Sequence, residues 1–137
     1  MRLNEMRLVA CLCCLLIAGS GCAVLLAGAA GAGLGVGAYS YIEGNLKRDY
    51  AGPFPRVWNA TEQALEQLEI PATVENKDAF GGLVKGIMHD GTKVTIKLKK
   101  KSESLTEVAV RVGLFGDREK SYRIQETITE LFRRPPK

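Results

Sequence analysis

Chemically reactive side chains are few in this sequence, and most of them lie near its start. The four cysteines, Cys11, Cys13, Cys14 and Cys22, all fall in the first 22 of 137 residues, and His89 is the single histidine. A catalytic base needs a partner within hydrogen-bonding reach, and a metal site needs several ligands. His89 adjoins an Asp-Gly turn and has no cysteine to join it. We therefore predict a surface turn residue there, with no catalytic residue, metal site or cofactor.

Features of an export signal precede Cys22. Two arginines in the first seven residues are followed by an apolar stretch, 8–18, of the length that signal peptides use. Gly, Ser and Gly at 19–21 then lead directly to the cysteine. This order resembles a bacterial lipobox, in which the cysteine thiol receives a diacylglycerol and the chain is cut before it. The lipobox usually has Leu where Gly19 stands.

The resemblance implies a signal peptide over 1–21 and a palmitate-bearing lipid anchor on Cys22, so membrane lipid is the first expected partner. The alternative is an uncleaved signal anchor with incidental cysteines. Ala23 follows the cysteine instead of Asp. By resemblance to Gram-negative lipoproteins, this implies export to the outer membrane, with the domain in the periplasm. Two or three acyl chains hold a protein stably where one holds it only marginally.

A Gly/Ala-rich apolar segment without charge follows the cysteine, and we assign 22–44 to a membrane-associated segment. As a helix, the twenty residues 23–42 would span about 30 Å, the thickness of a bilayer core. Small residues four apart allow membrane helices to pack closely. The packing residues would be Gly31, Gly33, Gly35 and Gly37. The alternative is a flexible apolar tether below the anchor.

The rest of the chain reads as one small soluble domain. Residues 43–137 carry 17 basic and 14 acidic side chains, a weak excess that does not by itself support nucleic-acid binding. We predict a linker over 45–52, a domain over 53–134 and a tail over 135–137. Amphipathic spacing predicts a helix over 55–69, with Trp58 in the core.

Alternation of apolar and polar residues predicts four strands, at 72–76, 82–89, 93–101 and 105–114. Asp117 is expected to cap a second helix that ends near Arg133. Consecutive short strands joined by short turns pair antiparallel. The predicted fold is α+β, a two-layer sandwich in which both helices cover one face of a four-stranded antiparallel sheet.

A row of lysines marks the strand at 93–101. Its members are Lys93, Lys97, Lys99 and Lys101, with Lys100 beside them. One interpretation is contact with an anionic partner such as lipid headgroups, lipopolysaccharide phosphates or an acidic protein surface. The other is an ordinary solvated sheet face, balanced by Glu103 and Glu107.

Four stretches together look like a family of small bacterial lipoproteins grouped by a domain of unknown function. They are GCAVLLAGAAGAG, YSYIEG, VWNATEQALEQL and VRVGLFGDREKS. The junction at 113–117, which ties a strand end to a helix cap, is the most particular of them. The resemblance supports the fold and the location but implies no activity.

Two hypotheses for function follow. The first is a non-enzymatic outer-membrane lipoprotein that acts by contact, as an accessory or structural component, with another envelope protein as its partner. The second is a membrane protein that associates with itself through the glycine-rich helix. No Gly-x-Ser-x-Gly elbow or phosphate loop indicates an enzyme.

Overall fold

The computed structural model describes residues 35–135 of the chain. Its eight elements are β1 (Ser40–Ile42), β2 (Asn45–Tyr50), α1 (Phe54–Gln67), β3 (Ala72–Lys77), β4 (Gly81–Ile87), β5 (Lys93–Ser102), β6 (Leu105–Val112) and α2 (Arg118–Arg133). The six strands form one sheet in the order β1-β2-β6-β5-β4-β3, and each neighbouring pair is antiparallel. The predicted strands correspond to β3 to β6, and the two predicted helices to α1 and α2.

The prediction of a four-stranded sheet is wrong, because β1 and β2 add two strands beyond β6. Residues 45–52, predicted as a linker, contain β2. Leu46 and Tyr50 of β2 are buried, but Arg48 takes the inward position between them. Because this inward residue is polar, the sequence of β2 lacks the alternation of apolar and polar residues that predicts a strand. The folded unit consequently begins well before the predicted boundary at residue 53.

Residues 35–42 are also not helical, so the helical alternative for 23–42 does not extend over this part. Val36 forms an isolated bridge with Tyr50, and the Gly37 N–H donates to the Asp49 carbonyl at 2.7 Å. Gly35 has a φ of +60°, a left-handed conformation that favours glycine. Two of the four predicted packing glycines, Gly35 and Gly37, therefore lie beside a strand.

Both helices pack on one face of the sheet, where the core lies. Residues two apart on a strand share a face, so the inward positions of β5 and β6 supply one apolar layer. Almost fully buried members of the core are Val94, Ile96, Val108, Val110, Val112, Ile124 and Ile128. The two helices also contact each other. Burial of this layer is the main favourable contribution to folding.

Local details of the helices agree with the sequence. Trp58 is buried, as predicted, and its indole packs so closely on Gly82 that a Cβ at residue 82 would overlap it. Asp117 is the N-cap of α2 and accepts a hydrogen bond from the Lys120 N–H at 3.0 Å. An N-cap side chain satisfies a donor that the helix leaves unpaired.

Candidate binding face

The open face of the sheet is the face that the helices leave uncovered. On β5 the inward residues alternate with Lys93, Thr95, Lys97 and Lys99, which point to the open face because successive side chains on a strand alternate. We call the end where β5 begins the upper end and the end near Ser102 the lower end. The predicted lysine row therefore runs along the whole height of the open face.

Carboxylates neutralise the lower end of this row. The Lys101 ammonium lies 3.0 Å from both Asp49 and Glu107 carboxylates, and Lys99 pairs in register with Glu107. Hydrogen bonds from Lys101 to Asp49 and then to Glu107 raise the pKa of that lysine. Lys100 makes its own ion pair with Glu103 at 2.7 Å. Carboxylates thus balance the lysines at this end, as the interpretation of an ordinary solvated face expects.

The upper end carries four cations around one hydroxyl. Thr95 of β5 pairs in register with Lys85 of β4 on one side and with Arg111 of β6 on the other. Lys93 and Lys97 lie two residues before and after Thr95 on the same strand. We call Lys85, Lys93, Lys97 and Arg111 the basic cluster.

The basic cluster lines a groove of about 980 Å³ on the open face. Glu43, in the β1–β2 turn, is the single carboxylate among the lining residues. Within residues 35–135, no member of the basic cluster makes an ion pair with a carboxylate. The upper end is therefore a local excess of positive charge on a domain whose overall balance is weakly basic.

An apolar loop borders this groove. Leu114, which lines it, is 77% exposed, and the neighbouring Phe115 is 88% exposed. We call these two residues the apolar loop. The Arg111 guanidinium donates to the Leu114 carbonyl, which ties the loop to the basic cluster.

The backbone that presents the apolar loop is closely packed. A Cβ at Gly116 would overlap the backbone of Gly44, and both glycines have positive φ angles, +84° and +77°. The Tyr41 hydroxyl donates to the Gly116 carbonyl at 2.7 Å, and the Asp117 N–H donates to the Val112 carbonyl at 2.7 Å. These contacts fix the turn, so Leu114 and Phe115 point outward from a defined backbone.

On the helix side, Arg48 of β2 joins the first described residues to α2. Its Nε donates to the Gly37 carbonyl at 2.8 Å, and its Nη1 lies 3.0 Å from both Glu126 Oε1 and Thr129 Oγ1. The guanidinium also lies 4.1 Å from the centre of the Tyr39 ring, whose hydroxyl donates to Glu126. Burial and that hydrogen bond raise the pKa of Tyr39. We call this group the Arg48 clamp.

Sequence reasoning missed the Arg48 clamp. The only available signal was an arginine with flanking tyrosines, in residues assigned to the apolar segment and linker. Nothing local indicates that these side chains meet a helix nearly 80 residues later in the chain.

His89 lies in the turn between β4 and β5, as predicted. Its Nε2 is 3.2 Å from Glu69 Oε2, and both side chains are exposed. Beside them Lys120 pairs with Asp90 at 2.8 Å, and this hydrogen bond holds the pKa of Asp90 well below its usual range. These residues border a pocket of about 470 Å³ that contains no serine, threonine or cysteine. The pocket therefore has no hydroxyl or thiol side chain among the residues that line it.

Some predicted sites lie outside the described residues. These are Cys22, the signal peptide, Gly31 and Gly33. In the described part of the chain, no helix is both long and apolar enough to span a bilayer. The same residues contain no group of three or more acidic, histidine or cysteine side chains placed to hold a metal ion.

The fold and the binding face define an α+β protein with a six-stranded antiparallel sheet, two helices on one face and a partly basic open face. A search of curated proteins finds no significant match. The chain belongs to the family described as "Protein of unknown function (DUF3568)", whose profile matches residues 5–131. This confirms the family resemblance drawn from the sequence. The lipid anchor and the bacterial origin stay predictions.

Proposed function

We propose that this protein is a lipid-anchored, non-enzymatic component of the outer membrane that acts through contacts of its periplasmic domain. The anchor is the acylated Cys22, supported by the apolar stretch and small residues that precede it. The domain contributes a contact surface, the upper end of the open face. An accessory or structural role in the envelope follows from these two parts.

One observation carries the contact role: among residues 35–135 the basic cluster has no carboxylate partners. No two of these cations lie directly opposite each other, but Lys85 and Arg111 are diagonal neighbours of Lys93 and Lys97, a spacing across which long side chains still interact. The lower end of the same face shows how this sheet balances its lysines, with Lys101 held between two carboxylates. The absence of such pairs around Thr95, within the described residues, favours an anionic partner that supplies the missing charge.

We do not propose the alternative, self-association through a glycine-rich membrane helix. The residues four apart are Gly31 with Gly35 and Gly33 with Gly37, and the described structure places Gly35 and Gly37 along β2. Each row of small residues therefore loses one of its two glycines, which weakens the basis for a helix-packing surface, since such surfaces use repeated small residues.

Metabolic labelling with a palmitate analogue tests the anchor. We expect label on the wild-type protein and on Cys14→Ala, and none on Cys22→Ala, because the thiol at position 22 receives the lipid. Mass spectrometry of the mature N-terminus provides a second measurement. An unmodified Cys22 on a chain that keeps residues 1–21 would contradict the anchor.

A photocrosslinking amino acid tests the contact surface in cells. Placed at Thr95, it should give specific crosslinks to an envelope component, and these should disappear in the Lys93→Glu, Lys97→Glu double variant. The matched control position is Glu66, which is exposed on α1. Equal crosslinking from both positions, or none from Thr95, would argue against a contact role for the open face.

A further inference from the structure

We propose that the basic cluster and the apolar loop form a site for the anionic headgroups of a phospholipid surface. This inference rests on the proposed contact role and names the partner.

The four cations surround Thr95, so their charged groups can contact the same ligand above it. Neighbouring strands lie about 4.8 Å apart, and residues two apart on a strand lie about 6.7 Å apart. Lys85 and Arg111 flank Thr95 across the sheet, and Lys93 and Lys97 flank it along β5. Each side chain is long enough to lean over this short distance. The Thr95 hydroxyl lies at the centre, where it can donate to a bound oxygen.

The chemistry of these side chains suits phosphate. A guanidinium can donate two parallel hydrogen bonds to a phosphate, and lysines act as mobile point charges around it. One guanidinium nitrogen of Arg111 donates to the Leu114 carbonyl, and Arg111 also lines the groove. A bound phosphate would also relieve the mutual repulsion of four cations that have no carboxylate partners among the described residues.

The apolar loop distinguishes a lipid surface from an acidic protein segment. Surfaces that bind the membrane interface combine cations, which contact headgroups, with large apolar side chains that enter the acyl boundary. Leu114 and Phe115 are more than three-quarters exposed, and Leu114 lines the same groove as the cations. Charge complementarity alone would fit either partner, whereas two outward-pointing apolar side chains on a fixed turn favour the lipid.

Lysine acetylation on the full-length protein tests this site. The protein is reconstituted in phosphatidylcholine vesicles, or in vesicles with equal parts of phosphatidylcholine and phosphatidylglycerol, and reaction rates are read by mass spectrometry. We expect Lys85, Lys93 and Lys97 to react about fivefold more slowly in the anionic vesicles. This protection should fade at high salt. Lys77, whose ammonium lies over Trp58 on the helix side, is the internal control and should not change.

A double variant, Leu114→Ser with Phe115→Ser, tests the apolar contribution. Both side chains are exposed, so the fold should be retained while the protection of Lys93 and Lys97 falls at least twofold. The matched control is Phe80→Ser, because Phe80 is similarly exposed at the lower end. Loss of protection in the control as well would overturn the assignment of the apolar loop.

Several results would overturn the lipid site. These are equal protection in both vesicle types, no protection in anionic vesicles, or the same protection from inorganic phosphate alone. A crosslink from Thr95 to an acidic protein, without vesicle protection, would overturn it while supporting the proposed function. Conversely, protection in anionic vesicles with an unacylated Cys22 would support the lipid site and contradict the anchor.

Discussion

At the scale of single residues, Tyr50 shows how the core accommodates a polar group. It is fully buried, and its hydroxyl lies 2.7 Å from Gln125 Oε1 and 3.1 Å from Thr129 Oγ1. The Gln125 amide in turn donates to the carbonyls of Leu46 and Val108, at 3.0 and 2.9 Å. A buried polar network is stabilising only when its donors and acceptors have hydrogen-bond partners. Here those partners come from both β2 and α2, so the network fixes the position of β2 against α2.

This burial predicts a loss of stability at high pH. It raises the pKa of Tyr50 to about 12, above the value of about 10 in the unfolded chain. The folded state therefore holds the phenolic proton more tightly, and the stability contribution is present below about pH 10 and is lost as the pH rises from about 10 to about 12. The raised pKa of Tyr39 acts in the same direction.

Urea unfolding of the full-length protein in detergent, measured from about pH 9 to about pH 11.5, checks this prediction. Tyr50→Phe should be less stable at neutral pH by about 1 kcal/mol, because a hydrogen-bonded hydroxyl is lost. Its stability should also fall less steeply above pH 10 than that of the wild type. An unchanged slope in the variant would show that Tyr50 does not control the alkaline transition.

At the scale of elements, the Arg48 clamp determines where the domain begins. It connects the residues before β1, the strand β2 and the helix α2 through one guanidinium. Replacing Arg48 with Met removes the donor to the Gly37 carbonyl and the cation paired with Glu126, whose carboxylate keeps the hydrogen bond from the Tyr39 hydroxyl. We expect a loss of about 1–3 kcal/mol, the cost of leaving such groups unsatisfied.

Hydrogen exchange and urea unfolding measure this effect. Arg48→Met should lower the unfolding midpoint and speed amide exchange in β1. The matched control is Lys47→Met, since Lys47 precedes Arg48 on β2 and faces the open side, and it should change stability by less than about 0.5 kcal/mol. Equal effects from the two variants would mean that the clamp contributes no more than a surface lysine does.

At the scale of the whole molecule, the six-stranded sheet predicts which fragment folds. A fragment of 53–137 would keep every element that the sequence analysis predicted but would lack β1 and β2. It would lose the burial of Leu46 and Tyr50, worth about 3–5 kcal/mol, and would leave the Gln125 amide without one acceptor. The total free energy of unfolding of a domain of this size is only about 5–15 kcal/mol.

Circular dichroism during heating distinguishes a domain that begins at residue 53 from one that begins at residue 34. The fragment 34–137, which corresponds to the compact unit Leu34–Lys137, should unfold in one cooperative transition. The fragment 53–137 should show no such transition under the same conditions. Cooperative unfolding of the shorter fragment would mean that β1 and β2 are dispensable for the fold.

Sequence patterns alone predicted α1, α2 and the strands β3 to β6, because each has a local periodicity that its own residues reveal. The Asp117 cap and the burial of Trp58 were also predicted from local sequence patterns. The lysines of β5 also shared a face by sequence parity, which is a local property of a strand.

Only the tertiary structure showed β1, β2 and the Arg48 clamp. In β2 an inward arginine interrupts the apolar alternation, and its partners come from a distant helix, so no window along the chain carries the signal. The basic cluster required the register that places Lys85 and Arg111 on either side of Thr95. The same register brings Asp49 and Glu107 to Lys101. Which charges are neighbours on a sheet depends on how its strands pair. Strand pairing is not visible in the local pattern of a single sequence.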